Sequence, residues 1–195
     1  RHGIFDFTEV LPGKLALRFV NSARREAPPL WTILSDSGAR VGVLGVPGTY
    51  PPEPVNGFMV SGFDSPVASR LDASMVYPVS LYPDVRDWRF SVLQETDIRP
   101  GWHDRALPAL LRKMEDQERI ACRLLARESW DFFMVVFSES DTVSHHFWLF
   151  HDPDSPRHRP GHPHAIREVY TRLDACVGAL TAAAGKSLNT APTPS

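Results

Sequence analysis

The sequence has no excess of charge of either sign and no long apolar run, and these shortages exclude several classes of protein. Its 195 residues carry 21 Lys and Arg against 23 Asp and Glu, so nothing indicates nucleic acid or an anionic membrane surface as a partner. No apolar run approaches the roughly 20 residues that span a bilayer. No charged-then-apolar leader follows Arg1, so the localisation stays open. The oligomeric state is not predicted either.

Cysteine is scarce, whereas proline is abundant. Cys122 and Cys176 both fall within predicted helices beside apolar residues, and we expect two small buried side chains, with a disulfide as the alternative. The 18 prolines cluster in "VPGTYPPEPVNG" and "HDPDSPRHRPGHP", which we interpret as ordered loops. The last stretch, "GKSLNTAPTPS", loses apolar periodicity. We therefore predict one domain over residues 1–185 and a disordered tail over residues 186–195.

The first half of the chain contains two clear secondary-structure signals. "LWTILSDS", residues 30–37, predicts a short helix that ends at Gly38, a residue suited to a left-handed C-cap. The β-branched run from Val41 to Val46 predicts a strand. Residues 50–102 are rich in Pro, Gly, Ser and Asp, and we expect a loop-rich insertion over one end of a sheet.

The second half predicts a helix, a strand and another helix. Leucines at steps of three and four over residues 107–125 indicate an amphipathic helix, although Gln117 and Glu118 interrupt its apolar stripe. "FFMVVF", residues 132–137, predicts a strand buried on both faces, as in a parallel sheet. A second amphipathic helix follows over residues 164–184, with a predicted apolar face of Ile166, Val169, Tyr170, Leu173, Val177 and Leu180. The alternation indicates an α/β sandwich with a mostly parallel sheet.

An acidic residue and a histidine, Asp141 and His145, follow the predicted strand 132–137. If a helix begins there, positions i and i+4 lie on one face, and both side chains could reach one ion at the zinc distance of about 2.0–2.2 Å. The alternative is that Asp141 caps the helix and that His145 is packed or half exposed. His146 falls off the i+4 face and is not a candidate ligand. Spacing alone leaves the metal site and the cap open.

Other candidate residues have weaker signals. A proline-punctuated loop contains several histidines and acids, and a solvated loop is a better explanation for them than a metal site; they are His151, Asp152, Asp154, His158, His162 and His164. Ser61 lies outside any GxSxG elbow, and "GVPGTY" lacks the Lys-Ser/Thr of a phosphate-binding loop. His2 and His103 are isolated. For Tyr50, Asn56 and Phe63 we expect packing or turn roles rather than substrate contacts.

Four stretches together resemble the type I phosphodiesterase/nucleotide pyrophosphatase family of the alkaline phosphatase superfamily. They are "HGIFDF" at residues 2–7, "LWTILSDSGARVGVLGVPGTYPPEPVNGFMVSGFDSP" at 30–66, "WDFFMVVFSESDTVSHHFW" at 130–148 and "REVYTRLDACVGAL" at 167–180. The resemblance implies an alkaline-phosphatase-like three-layer α/β sandwich with a mostly parallel sheet, incomplete in this chain. It also implies a hydrolase of small phosphoric esters with two zinc ions, and it assigns Asp141 and His145 as two of the three ligands of one of them.

The resemblance also implies functional residues beyond this chain. The family's Thr or Ser nucleophile precedes the region of "HGIFDF", and its remaining zinc ligands follow the region of "YTRLD". Because two-metal catalysis needs both ions, we expect the 195-residue chain alone to be inactive. Two alternatives stay open: a non-catalytic, truncated or diverged module of the same fold, and a sulfatase or phosphonate hydrolase of the same superfamily. The substrate-binding residues are not predicted.

Overall fold

A computed structural model describes residues 3, 4, 6, 8–10, 13, 16–62, 70–89 and 98–190. The chain divides into two compact units. The first comprises residues 1–86 with 128–136, and the second comprises residues 87–127 with 137–195. Both sheets lie in the first unit, and the long helices lie in the second.

The first unit contains two sheets. Strands β1 (Thr8–Val10) and β2 (Leu17–Phe19) pair antiparallel. The larger sheet has the order β5-β4-β3-β6, from strands β3 (Val41–Val46), β4 (Gly57–Ser61), β5 (Val76–Tyr77) and β6 (Phe132–Val135). β3 pairs parallel with β4 and β6, and β4 pairs antiparallel with β5. The predicted α/β class with a mostly parallel sheet is confirmed, with four strands among the described residues.

The β3–β4 pair forms the buried centre of this sheet. All six residues of β3 are buried, as the β-branched run from Val41 to Val46 predicts. β4 begins at Gly57, whose φ is 143° and whose added Cβ would lie 2.0 Å from the Val41 carbonyl oxygen. Only glycine allows the two backbones to approach this closely. β4 was not predicted, because it lies within the stretch 50–102 that was interpreted as loop-rich.

Short helices complete the first unit. α1 (Leu30–Asp36) is followed by Gly38 with φ 91°, so the predicted helix and its C-terminal glycine are confirmed. α2 (Tyr82–Val85) is a single turn, and 3-10 turns lie at Ser22–Arg24, Ala73–Met75 and Val79–Leu81. Asn56 donates from Nδ2 to the carbonyl oxygens of Gly38 (2.9 Å) and Ala39 (3.2 Å), which is a turn role.

The prediction that the strand 132–137 is buried on both faces is wrong. Every residue of β6 is half-buried. The physical reason is its position in the sheet order, since β6 pairs with β3 and lies at an edge of the described sheet. An apolar run shows that a strand forms, but it does not show how many neighbours the strand has.

Three helices build the second unit: α3 (Trp102–Leu125), α4 (Glu139–His151) and α5 (Ala165–Thr190). Their shared core contains buried side chains from all three helices, namely Trp102, Ala106, Leu110, Met114, Val143, Phe147, Phe150, Ala165, Val169 and Cys176. No helix among the described residues is long and apolar enough to cross a membrane.

Two details of the predicted helices differ from the structure. α5 continues to Thr190, past residue 185 where the disordered tail was predicted to begin; residues 191–195 lie outside the described residues. In its predicted apolar face, Val169 is buried, but Tyr170 and Val177 are half exposed, and Cys176 is buried instead. The apolar stripe that contacts α3 and α4 is therefore narrower than the pattern indicated, and small residues contribute to it.

Candidate metal centre

α4 begins directly after the short connection that follows β6, and this start decides the role of Asp141. Ser138 is the residue before the first helical turn, and Glu139 and Asp141 are the acidic residues within that turn. The amide of Thr142 donates to the carbonyl oxygen of Ser138 at 3.1 Å, so the helical hydrogen bonds already run past Asp141. The alternative that Asp141 is the N-cap is therefore wrong. Its carboxylate still interacts favourably with the helix dipole.

The structure brings the two predicted ligands together. His145 Nε2 lies 3.3 Å from Asp141 Oδ1, and the two side chains are 71% and 73% exposed. Two atoms that each lie about 2.0–2.1 Å from a tetrahedral zinc ion are separated by about 3.4 Å. The pair thus has the separation and the donor types that one ion requires. Without an ion, the same contact is an exposed i,i+4 pair, and exposed pairs contribute little to stability.

Two ligands do not complete a zinc site. Among the residues that the structure describes, no group of three or more His, Cys, Asp or Glu side chains could hold a metal ion. Within the described residues, Asp141 and His145 are therefore two candidate ligands without a third. An exposed pair suits this arrangement, because its unused side remains accessible to further ligands.

The opposite face of α4 is buried. Val143 and Phe147 are fully buried, and Phe150 is 8% exposed. Phe147 lies with its ring centroid 5.9 Å from that of Phe150 and 6.3 Å from that of Trp102. These contacts fix α4 to the core of the second unit, and they leave Asp141 and His145 on the side away from it.

A buried ion pair lies at the start of α4. Glu139 is completely buried, and its Oε1 lies 2.9 Å from Nζ of Lys113 on α3. The Lys113 ammonium donates a hydrogen bond to Ser138 Oγ at 2.9 Å, whereas its contact with Glu139 is an ion pair, and neither carboxylate oxygen of Glu139 accepts a hydrogen bond from the described residues. Neither Lys113 nor Glu139 was predicted from the sequence as a site residue. A signal was present, because Lys113 stands between Leu110 and Met114 on the apolar stripe of α3, where a charge requires a partner.

Several histidines pack beside this core instead of forming a metal site. His103 Nε2 donates to the backbone oxygen of His146 at 3.1 Å, and His146 packs its ring on Trp102. His162 Nε2 lies 3.0 Å from Asp104 Oδ1. Burial lowers the pKa of His103, and the nearby His162 adds to this effect, whereas the hydrogen bond to His146 opposes it. That His146 is not a ligand stays a prediction; its ring centroid lies 5.1 Å from that of Trp102.

The remaining candidates are placed elsewhere. His151 stacks beside Trp148, with 5.3 Å between ring centroids, and His158 and His164 are exposed. Ser61 is buried and donates to the carbonyl oxygen of Thr49 at 2.9 Å, which is a structural role. The backbone oxygen of Tyr50 accepts from Ser22 at 2.8 Å. His2 and Phe63 lie outside the described residues.

Both cysteines are free thiols in the structure. Cys176 is buried, and burial together with its hydrogen bond to Glu118 raises its pKa to about 12. Burial and the charge of Glu118 also raise the pKa of the Cys122 thiol. The expected burial is therefore confirmed for Cys176, whereas Cys122 is only half-buried, and the raised pKa values favour the protonated thiols at neutral pH.

The chain combines an α/β fold with a match to a known protein family. Residues 1–191 match the family described as type I phosphodiesterase/nucleotide pyrophosphatase. The chain belongs to this family, which is a member of the alkaline phosphatase superfamily. Comparison with curated proteins gives no match, and comparison with solved structures gives none either. The family indicates hydrolase activity of the phosphodiesterase type, on small phosphoric esters.

Proposed function

We propose that this chain supplies part of the active site of a metal-dependent hydrolase that cleaves phosphodiesters or nucleotide pyrophosphates. Asp141 and His145 are two ligands of one zinc ion. The observation that carries the proposal is the 3.3 Å separation of their oxygen and nitrogen atoms on the exposed face of α4. Family membership supplies the substrate class.

Each residue of the pair has a definite part. Asp141 provides an anionic oxygen that offsets one of the two positive charges of the ion, and His145 provides a neutral nitrogen. The zinc ion, when bound, would polarise a phosphoryl oxygen and stabilise the charge that develops during displacement at phosphorus. Helical spacing holds the two ligand atoms near each other before binding, so little side-chain entropy is lost on coordination.

We further propose that the remaining ligands, a second zinc site and a Thr or Ser nucleophile come from residues other than the described ones. Two ligands of one ion do not hold the attacking and leaving oxygens in line. The 195-residue chain alone is accordingly expected to show little or no hydrolysis. This expectation concerns the isolated chain and not the family.

Because the 195-residue chain alone is expected to show little or no hydrolysis, the test measures hydrolysis of bis(4-nitrophenyl) phosphate by this chain together with any flanking residues that its gene encodes. Asp141→Asn and His145→Ala should each lower kcat/KM by at least about 100-fold, because a lost ligand costs more than the 10–100-fold of a lost outer-shell partner. Asp154→Asn and His158→Ala are matched controls, since both residues are exposed in the loop after α4. Their turnover should be unchanged.

Two results would overturn or redirect the proposal. Unchanged turnover in either Asp141→Asn or His145→Ala removes that residue from the site. Hydrolysis of 4-nitrophenyl sulfate in preference to the phosphodiester would assign the protein to the sulfatase branch of the superfamily. Both assays use the same chromophore and can be run on one preparation.

A further inference from the structure

We propose that Lys113 is a positioning residue for the Asp141–His145 pair. Its ammonium holds the first turn of α4 from the buried side and thereby fixes the direction in which the pair faces a metal ion. This inference rests on the proposed function. It adds a residue from α3, on a different segment of the chain, that touches neither ligand.

The geometry identifies one cation that bridges two consecutive residues. Lys113 Nζ lies 2.9 Å from Ser138 Oγ and 2.9 Å from Glu139 Oε1. Ser138 is the residue that precedes the first turn of α4, and Glu139 is the first residue of that turn. Asp141 is in the same turn, and His145 follows one turn later. The anchor and the ligands are therefore parts of one short rigid element.

The cost of this arrangement indicates a role beyond stability. Glu139 is 0% exposed and the Lys113 side chain is 11% exposed, so both charges are removed from water. A buried ion pair often stabilises a fold no more than apolar residues of similar size would, because desolvation offsets the attraction. What the pair adds is direction, because an ammonium that bonds to Ser138 Oγ and pairs with Glu139 restrains two consecutive residues at the start of α4. We infer that the pair sets the orientation of the turn that carries Asp141.

Other polar contacts of α3 hold α5 rather than α4. Arg172 on α5 lies 2.7 Å from Glu118 on α3, and Glu118 also bonds to Cys176. These groups join α3 to α5 one turn along α3 from Lys113. Lys113 joins α3 to the first turn of α4 through its contacts with Ser138 and Glu139.

The test measures zinc binding at His145 and does not depend on activity. The ring resonances of His145 are followed by NMR as Zn²⁺ is added to the 195-residue chain. Lys113→Met should raise the dissociation constant for Zn²⁺ about 10-fold, in the range seen for lost outer-shell partners. Lys113→Arg should restore most of the affinity, because a guanidinium can bond to the same two oxygens.

The direction in which the Zn²⁺ affinity changes distinguishes a positioning role of Lys113 from a purely electrostatic effect of its charge. Lys113→Met leaves the carboxylate of Glu139 without its cation, and electrostatics alone would then tighten Zn²⁺ binding at the nearby pair. Weaker Zn²⁺ binding in Lys113→Met would therefore result from displacement of Asp141 and His145 and not from the change in charge. Arg112→Met is the matched control, because it removes the same charge from the neighbouring, exposed position on α3. We expect its Zn²⁺ affinity to equal that of the wild type.

A metal-free measurement gives an independent readout. Amide hydrogen exchange at Thr142, whose N–H donates to Ser138 at 3.1 Å, should become faster in Lys113→Met, while exchange at Val169 on α5 changes less. Should Lys113→Met not fold, Ser138→Ala removes one partner of the ammonium and should show the same two changes more weakly.

The outcomes distinguish this inference from the proposed function. Wild-type zinc binding at His145 that is unchanged in Lys113→Met, with unchanged exchange at Thr142, overturns the positioning role and leaves the metal pair intact. A loss of Zn²⁺ affinity that is accompanied by a uniform rise in amide exchange across α3, α4 and α5 also overturns the positioning role, because a uniform rise reports global destabilisation. No response of His145 to Zn²⁺ in the wild type overturns the metal assignment, and the positioning role with it.

Discussion

The two faces of α4 differ in burial although they share one backbone. Glu139 and Asp141 are both acidic residues of the first turn, yet Glu139 is 0% exposed and the Asp141 side chain is 73% exposed. Residues two positions apart lie about 200° apart around a helix with 3.6 residues per turn. The inner face therefore takes part in packing and the outer face is accessible to ligands. Substitutions on the outer face should therefore leave the packing of the inner face largely unchanged.

The largest effect is expected from Phe147 on the inner face. Phe147→Ala removes a completely buried ring and should lower the free energy of unfolding by about 3–5 kcal/mol. Denaturant unfolding followed by far-UV circular dichroism measures this loss. Trp148→Ala is the matched control, since Trp148 is the next residue and is 52% exposed; it should cost less than about 1 kcal/mol. Equal losses in the two variants would contradict the division into faces.

The buried ion pair should give the next largest effect. Lys113→Met or Glu139→Met alone leaves one buried charge without its partner and should destabilise the chain by about 3 kcal/mol. The double variant removes both charges and should recover most of that loss, which is a coupling between neighbours. Additive losses in the same denaturation experiment would show that the two side chains stabilise the fold independently.

Asp141 on the outer face should hardly affect stability. Asp141→Ala should change the free energy of unfolding by no more than about 0.5 kcal/mol, because its contact with His145 is exposed. An N-cap aspartate would cost about 1 kcal/mol or more. Asp141→Asn should behave like Asp141→Ala. A loss above 1 kcal/mol in either variant would restore the capping role that the structure excludes.

The smallest effect concerns pH. The pKa of His103 is lowered from its ordinary 6.5, so the unfolded chain binds the proton more readily than the folded one. The stability that the neutral ring contributes is complete above pH 6.5 and is lost as the pH falls toward the lower folded value. His103→Gln keeps a donor for the His146 oxygen but does not titrate. Melting temperatures measured from pH 7.5 to 5.5 should therefore fall less for His103→Gln than for the wild type; parallel curves would contradict this.

Local signals in the sequence predicted the elements that depend on neighbouring residues. The helix α1 follows from a short apolar segment that ends at Gly38, and β3 follows from a β-branched run between turns. The i,i+4 proximity of Asp141 and His145 is also local, because the helical repeat alone brings the two side chains together. For these features the sequence was sufficient.

Features that depend on distant residues could not be predicted in this way. β4 is short and lies among prolines and glycines, and it is buried because it pairs with strands on both sides. The edge position of β6 and the exposure of Tyr170 on α5 depend on which elements pack nearby. The partner of Lys113 lies on another helix. A single sequence shows a charge on an apolar stripe, but it does not show which residue compensates it.

The central claim is that Asp141 and His145 bind one ion, and a double-variant cycle of zinc affinity tests it most directly. Isothermal titration with Zn²⁺ compares the wild-type chain, Asp141→Asn, His145→Ala and the double variant. If the ligands share one ion, each single variant loses most of the affinity, and the double variant loses little more. Losses that add, or a wild-type affinity retained in either single variant, would show that the two residues do not bind the same ion.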